Sequence, residues 1–143
     1  MRKVQLLLLL FMLPSAVFAQ GSLGGTWKGT WLSPKGYVYL AEMHLQLANS
    51  GTVEGDIKWV LKQSPRAEEQ AKLGMSGTEF VRGTFDAKSN VVTIDGYRKD
   101  DPNQILGLDK YRLILAENGT ALGGITWNNG SWRGLIGLSK EEK

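Results

Sequence analysis

Apolar and polar residues alternate with a period of two along most of this chain, and turn residues cut the alternation into short runs. In YVYLAEMHLQL one face carries Tyr37, Tyr39, Ala41, Met43, Leu45 and Leu47, and the other carries Glu42, His44 and Gln46. TVEGDIKWVL places Val53, Gly55, Ile57, Trp59 and Leu61 opposite Glu54, Asp56 and Lys58. This is the pattern of a strand with one buried face, because successive side chains point to opposite sides of a sheet. The intervening NSG is a hairpin signal. Further strands read at 78–85, 90–98, 110–116, 121–127 and 131–138, and GTWKGTWL at 25–32 comes first. Their connections DAKS, ENGT and NNG are rich in residues that tolerate turn geometry. The total is eight strands.

Two connections are longer. SPRAEEQAKLG (64–74) predicts one short helix, with Ser64 as N-cap, Pro65 at the first helical position and Gly74 as the stop. KDDPNQILG (99–107) reads as a polar loop broken by Pro102. Eight strands joined mostly by hairpins, without helical crossovers, predict an all-β fold: an antiparallel eight-stranded up-and-down barrel with one short helix between strands 3 and 4. A two-sheet sandwich would show the same alternation. Closure removes the exposed edges of such a meander, and an eight-strand interior is filled by side chains or holds one small ligand. Gly29, Gly55, Gly83, Gly96, Gly124, Gly134 and Gly137 fall inside the strands, where glycine permits the bends of a small barrel.

The first nineteen residues stand apart from this pattern. Arg2 and Lys3 precede the apolar run VQLLLLLFML, and PSAVFA ends in small residues. That order is the one found in secretory signal peptides, with cleavage expected after Ala19. The expected organisation is therefore a signal peptide over 1–19 and one barrel domain over 20–143, secreted or periplasmic, with no membrane contact once the leader is removed. Two of the 17 basic residues lie in the leader, leaving 15 against 14 acidic residues. With that balance and no basic run, a nucleic-acid partner is not expected. There is no cysteine, so the domain must be held by core packing without disulfides.

GTW at 25–27, on the first strand, resembles the Gly-x-Trp of lipocalins and their calycin relatives. In those families a basic residue on the last strand packs across that tryptophan, and Arg133 in SWRG is the matching candidate. The resemblance thus implies a closure pair, Trp27 and Arg133, stabilised by a cation over an indole ring. LDKY (108–111) echoes a third lipocalin element, Thr-Asp-Tyr, with an inserted lysine and no threonine. The related avidin branch is nearer in length, but its biotin-contacting polar set does not map onto this chain.

Chemistry-bearing residues are sparse. His44, the single histidine, falls by parity with Glu42 and Gln46 on the outer face, and no nucleophile elbow accompanies it. No metal site and no cofactor are expected, and the protein does not read as an enzyme. Asp100, Asp101 and Asn103 read as a polar turn. Glu79 shares parity with Val81 and Phe85; turned inward, it would need a partner, which Arg98 or Arg133 could supply, most simply as a pair at a barrel mouth. Trp127 and Trp132 flank the NNGS turn, where they could cap a mouth, pair across strands or meet another subunit.

These residues predict an exported lipocalin-like barrel binding a small apolar or amphipathic ligand without catalysis. The pocket is expected from Trp31, Tyr37, Tyr39, Met43, Trp59 and Phe85, with the 64–74 helix as a partial lid. The alternative is a barrel packed solid with side chains, acting as a protein-interaction or inhibitor module. The last two strands carry Ile125, Trp127 and Leu135 opposite their other apolar residues, which adds the expectation of a homodimer through these strands.

Overall fold

The alternation closes on itself. In the computed structural model, which describes residues 23–143, eight strands follow one another around a single closed antiparallel barrel. They are β1 (Gly25–Leu32), β2 (Val38–Leu47), β3 (Thr52–Gln63), β4 (Ser76–Asp86), β5 (Val91–Asp100), β6 (Lys110–Leu115), β7 (Ala121–Trp127) and β8 (Arg133–Lys140). Each pairs with its sequence neighbour, and β1 pairs with β8 across the seam. The expected signal peptide lies outside the described residues.

Burial follows the period of two. Ala41, Met43, Leu45, Val53, Ile57, Val81, Val92, Ile94, Leu113, Leu122, Ile136 and Leu138 line the interior and form one continuous core. The outer face carries the charged parity. Lys28 pairs with Glu42 at 3.5 Å and Glu141 at 2.8 Å, and His44 sits between Glu42 and Asp56 at 3.2 and 3.0 Å. These two carboxylates, chiefly Asp56 by hydrogen bonding, raise the His44 pKa above its ordinary value. No helix among the described residues is long and apolar enough to cross a membrane.

The connection between β3 and β4 is helical as expected but tighter: Ala67–Lys72 is a 3₁₀ helix with no buried residue and no side-chain cap. Ser64 does not cap it. Its hydroxyl donates to Glu69 and accepts the Arg66 N–H, a local turn that competes with a helical start. Gly74, at φ +84°, ends the segment in a backbone conformation that costs glycine little.

The seam corrects the expected closure pair. Trp27 is fully buried at one end of the barrel, where its indole N–H donates to the Leu23 carbonyl at 2.9 Å. Across the seam, however, its register partner is Lys140, whose Nζ lies 5.3 Å from the indole centroid. Arg133 sits at the opposite end of β8, exposed and paired with Trp127. The stagger needed to close a barrel sets which end of β8 meets Trp27, and one basic residue replaces another. Accordingly, Lys140→Ala should cost about 0.5–1 kcal/mol, and Arg133→Ala should stay within about 0.5 kcal/mol of wild type in urea denaturation. The reverse order would contradict this register.

Candidate functional site

Buried apolar side chains fill the interior around Trp27, and a pocket opens at the other end. Around the mouth formed by the ends of β1, β2, β3 and β4, a pocket is lined by Trp31, Tyr39, Trp59, Glu79, Asp109 and Trp132, with Ile105, Leu106 and Gly107 from the β5–β6 connection. Its open space is about 20 Å³, enough for a water-sized group.

The walls are aromatic because inward positions near the ends of three adjacent strands are aromatic. Trp31 meets Tyr39 edge-on at 5.6 Å, and Tyr39 meets Trp59 at 6.0 Å. Trp132, which precedes β8, stacks on Trp31 at 5.2 Å and meets Tyr37 at 4.7 Å, so it caps the mouth. The Trp31 indole N–H donates to Thr126 Oγ1 at 2.7 Å, which fixes the ring. A Cβ on Gly134 would lie 2.1 Å from that ring, so glycine there makes room for it.

Within this wall sits a carboxylate. Glu79 points inward and is only 2 % exposed. Neither Arg98 nor Arg133 pairs with it: Arg98 lies over the Phe80 ring, 3.7 Å from its centroid. Neutral donors hold it instead. Trp59 Nε1–H donates to Oε2 at 3.1 Å, the Tyr111 hydroxyl donates to Oε2 at 2.5 Å, and the Asp109 backbone N–H donates to Oε1 at 2.9 Å. Burial outweighs these donors and pushes the Glu79 pKa up to about 7. Gly96 on β5 is what admits the carboxylate, since a Cβ there would stand 1.9 Å from Oε1.

Asp109 is the second acid of the pocket. Burial pushes its pKa up to about 6, with a hydrogen bond from Trp132 opposing the shift. Its Oδ1 is buried and meets no hydrogen-bond donor. The loop that carries it is fastened from within. The Asp101 carboxylate, 2 % exposed, accepts the N–H groups of Ile105 and Leu106 at 3.0 and 2.9 Å, and the Tyr39 hydroxyl donates to the Ile105 carbonyl at 2.6 Å.

The six expected pocket residues therefore separate. Trp31, Tyr39 and Trp59 meet in the mouth pocket, and Tyr37 stands at its rim behind Trp132. Met43 is fully buried deeper in the barrel, opposite Trp27 and Ile57. Phe85 lies at the other end, against a recess beside the β2–β3 turn. The cover over the mouth is the 101–109 connection; the 64–74 segment contributes no lining residue. Asp109, Ile105 and Leu106 were not among the expected site residues. The echo LDKY did contain two members of the site, Asp109 and Tyr111.

Comparison with family models, with curated proteins and with solved structures gives no match. The site's own chemistry must carry the functional reading.

Proposed function

We propose that this protein is a non-catalytic, lipocalin-like carrier that binds one small amphipathic molecule at the mouth of its barrel, after export and loss of residues 1–19. The observation that carries this reading is the contrast within one interior. The barrel is packed with aliphatic side chains around Trp27, whereas at the mouth four aromatic rings and two carboxylates converge. A few convergent polar groups on an aromatic wall are the usual make-up of a small-molecule site. Tryptophan on β1 beneath a basic residue of β8 supports the lipocalin-like reading. The ion-paired outer face supports life in water on the far side of export.

A second reading rests on a different surface. Leu32, Ile125 and Leu135 are 50 %, 49 % and 61 % exposed and adjoin on the outside of β1, β7 and β8, which favours an interaction module that self-associates there. One measurement separates the two. Native mass spectrometry of protein purified from its own host should show a monomer carrying a small-molecule adduct, lost in Trp31→Ala. An adduct-free dimer, abolished by Leu135→Lys, would replace the first reading with the second.

A further inference from the structure

We infer that the mouth pocket recognises a primary ammonium head group, with the hydrocarbon part of the ligand lying outward over Ile105, Leu106 and Trp132. This rests on the carrier reading and names its ligand chemistry.

The pocket contains two carboxylates and no lysine or arginine among its lining residues. The cations nearest the loop are engaged elsewhere: Lys99 Nζ donates to the Leu106 carbonyl and pairs with Asp101, and Lys72 Nζ donates to the Gln104 carbonyl. Glu79 has three donors, but all are neutral. Asp109 Oδ1 is buried with none. Two carboxylates on one pocket wall, one of them held by neutral donors alone, are matched best by a group with several N–H bonds and a positive charge. The indoles of Trp31, Trp59 and Trp132 and the Tyr39 ring add faces that attract cations. The open space, about 20 Å³, matches a head of water's size, which favours a primary ammonium over a bulkier trimethylammonium group.

The groups facing the two acids are few. Around Glu79 they are Tyr111 on β6, Asp109, and the register partner of Glu79 on β5, Lys99, whose Nζ turns to Asp101 and the Leu106 carbonyl; Trp59 on β3 and Gly96 on β5 are uncharged. Asp109 faces Trp132 and Glu79, with Tyr39 on β2 lining the same pocket. Both acids stay partly protonated near neutrality in the absence of a counter-cation, so ammonium binding should draw protons off them and strengthen as the pH rises.

The probes are octylammonium chloride, 1-octanol, sodium octanoate and octyltrimethylammonium chloride at fixed ionic strength, followed by tryptophan fluorescence and calorimetry. At pH 8 octylammonium should bind at least about tenfold more tightly than the other three, in line with a charge-assisted hydrogen bond. Its affinity should rise between pH 5 and pH 8, over which it remains protonated. Asp109→Asn keeps the side chain's size and should erase about tenfold of octylammonium affinity, and with it the preference over octanol; a preserved far-ultraviolet and near-ultraviolet circular dichroism spectrum confirms its fold. Octanol or octyltrimethylammonium binding as tightly as octylammonium, or an Asp109→Asn variant with the preference intact, overturns the ammonium assignment and leaves the carrier standing. Failure of all four probes overturns both.

Discussion

Between pH 4.5 and pH 8 the ligand-free barrel should lose stability relative to its Glu79→Gln variant, by on the order of 2–3 kcal/mol. The Glu79 pKa is about 7 in the folded protein against an ordinary value of 4.5, because burial disfavours its charge more than Tyr111, Asp109 and Trp59 favour it. The folded state therefore holds a proton that the unfolded chain has already released. The associated stability is fully present below about 4.5 and disappears as the pH climbs through about 7. Asp109, raised from 3.8 to about 6, acts in the same direction over a lower window, and the two acids titrate as a pair. His44 shifts upward too, but on the surface and equally in both proteins, so the comparison subtracts it. Urea midpoints of the two proteins across this range provide the measurement. Parallel pH profiles would show that Glu79 does not titrate from a buried, mostly neutral state. A bound ammonium ligand should reverse the trend, because it stabilises the ionised acids.

Trp27→Ala should be the most damaging single substitution at the closed end, at about 3–5 kcal/mol. The indole is 0 % exposed, and it spans the seam where β1 meets both β2 and β8, opposite Met43 on one side and Lys140 on the other. Its removal leaves a cavity where neighbouring strands cannot easily collapse, and it strands the Leu23 carbonyl. Trp27→Phe keeps most of the ring but loses that hydrogen bond, and should cost about 1 kcal/mol for the unmade bond plus a smaller packing loss. Chemical denaturation followed by circular dichroism, which does not depend on the deleted fluorophore, distinguishes the pair. A loss below about 1 kcal/mol for Trp27→Ala would mean that the closed end is held by something other than this plug.

Much of the architecture was legible in residue order. Parity alone assigned Trp27, Trp31, Tyr39 and Trp59 to the inner face and His44 to the outer, since side-chain direction in a strand is a local property. It left Glu79 open, because both faces of its strand mix apolar and polar residues. The turn residues marked the hairpins for the same reason, and β1 and β7 match their expected spans. Parity gives a side chain's direction without its depth. Met43 and Phe85 point inward as read, yet one sits in the packed middle and the other at the opposite end from Trp31. Only the stagger between strands places inward residues on a common level.

The same distinction explains the partners. Glu79 needed neutralisation by something, and arginine was the natural expectation from charge. The folded chain supplies an indole, a phenol, a backbone N–H and burial, brought together from β3 and from the 109–111 stretch that enters β6. The 101–109 connection looked like an ordinary polar loop because Asp101 and Pro102 dominate its composition. Its inward residues Ile105, Leu106 and Asp109 acquire meaning only when Asp101 folds the loop back over the mouth.

By itself, then, the sequence determined the strand count, the alternation of faces along each strand and the antiparallel order, because these depend on spacing along a strand and on turns a few residues long. Tertiary structure decided that Lys140 rather than Arg133 meets Trp27, which aromatics share the mouth, and that two acids lie there without a cation. Those outcomes depend on the register between β1 and β8, strands separated by almost the whole described chain, and on how far burial outweighs hydrogen bonding at one carboxylate.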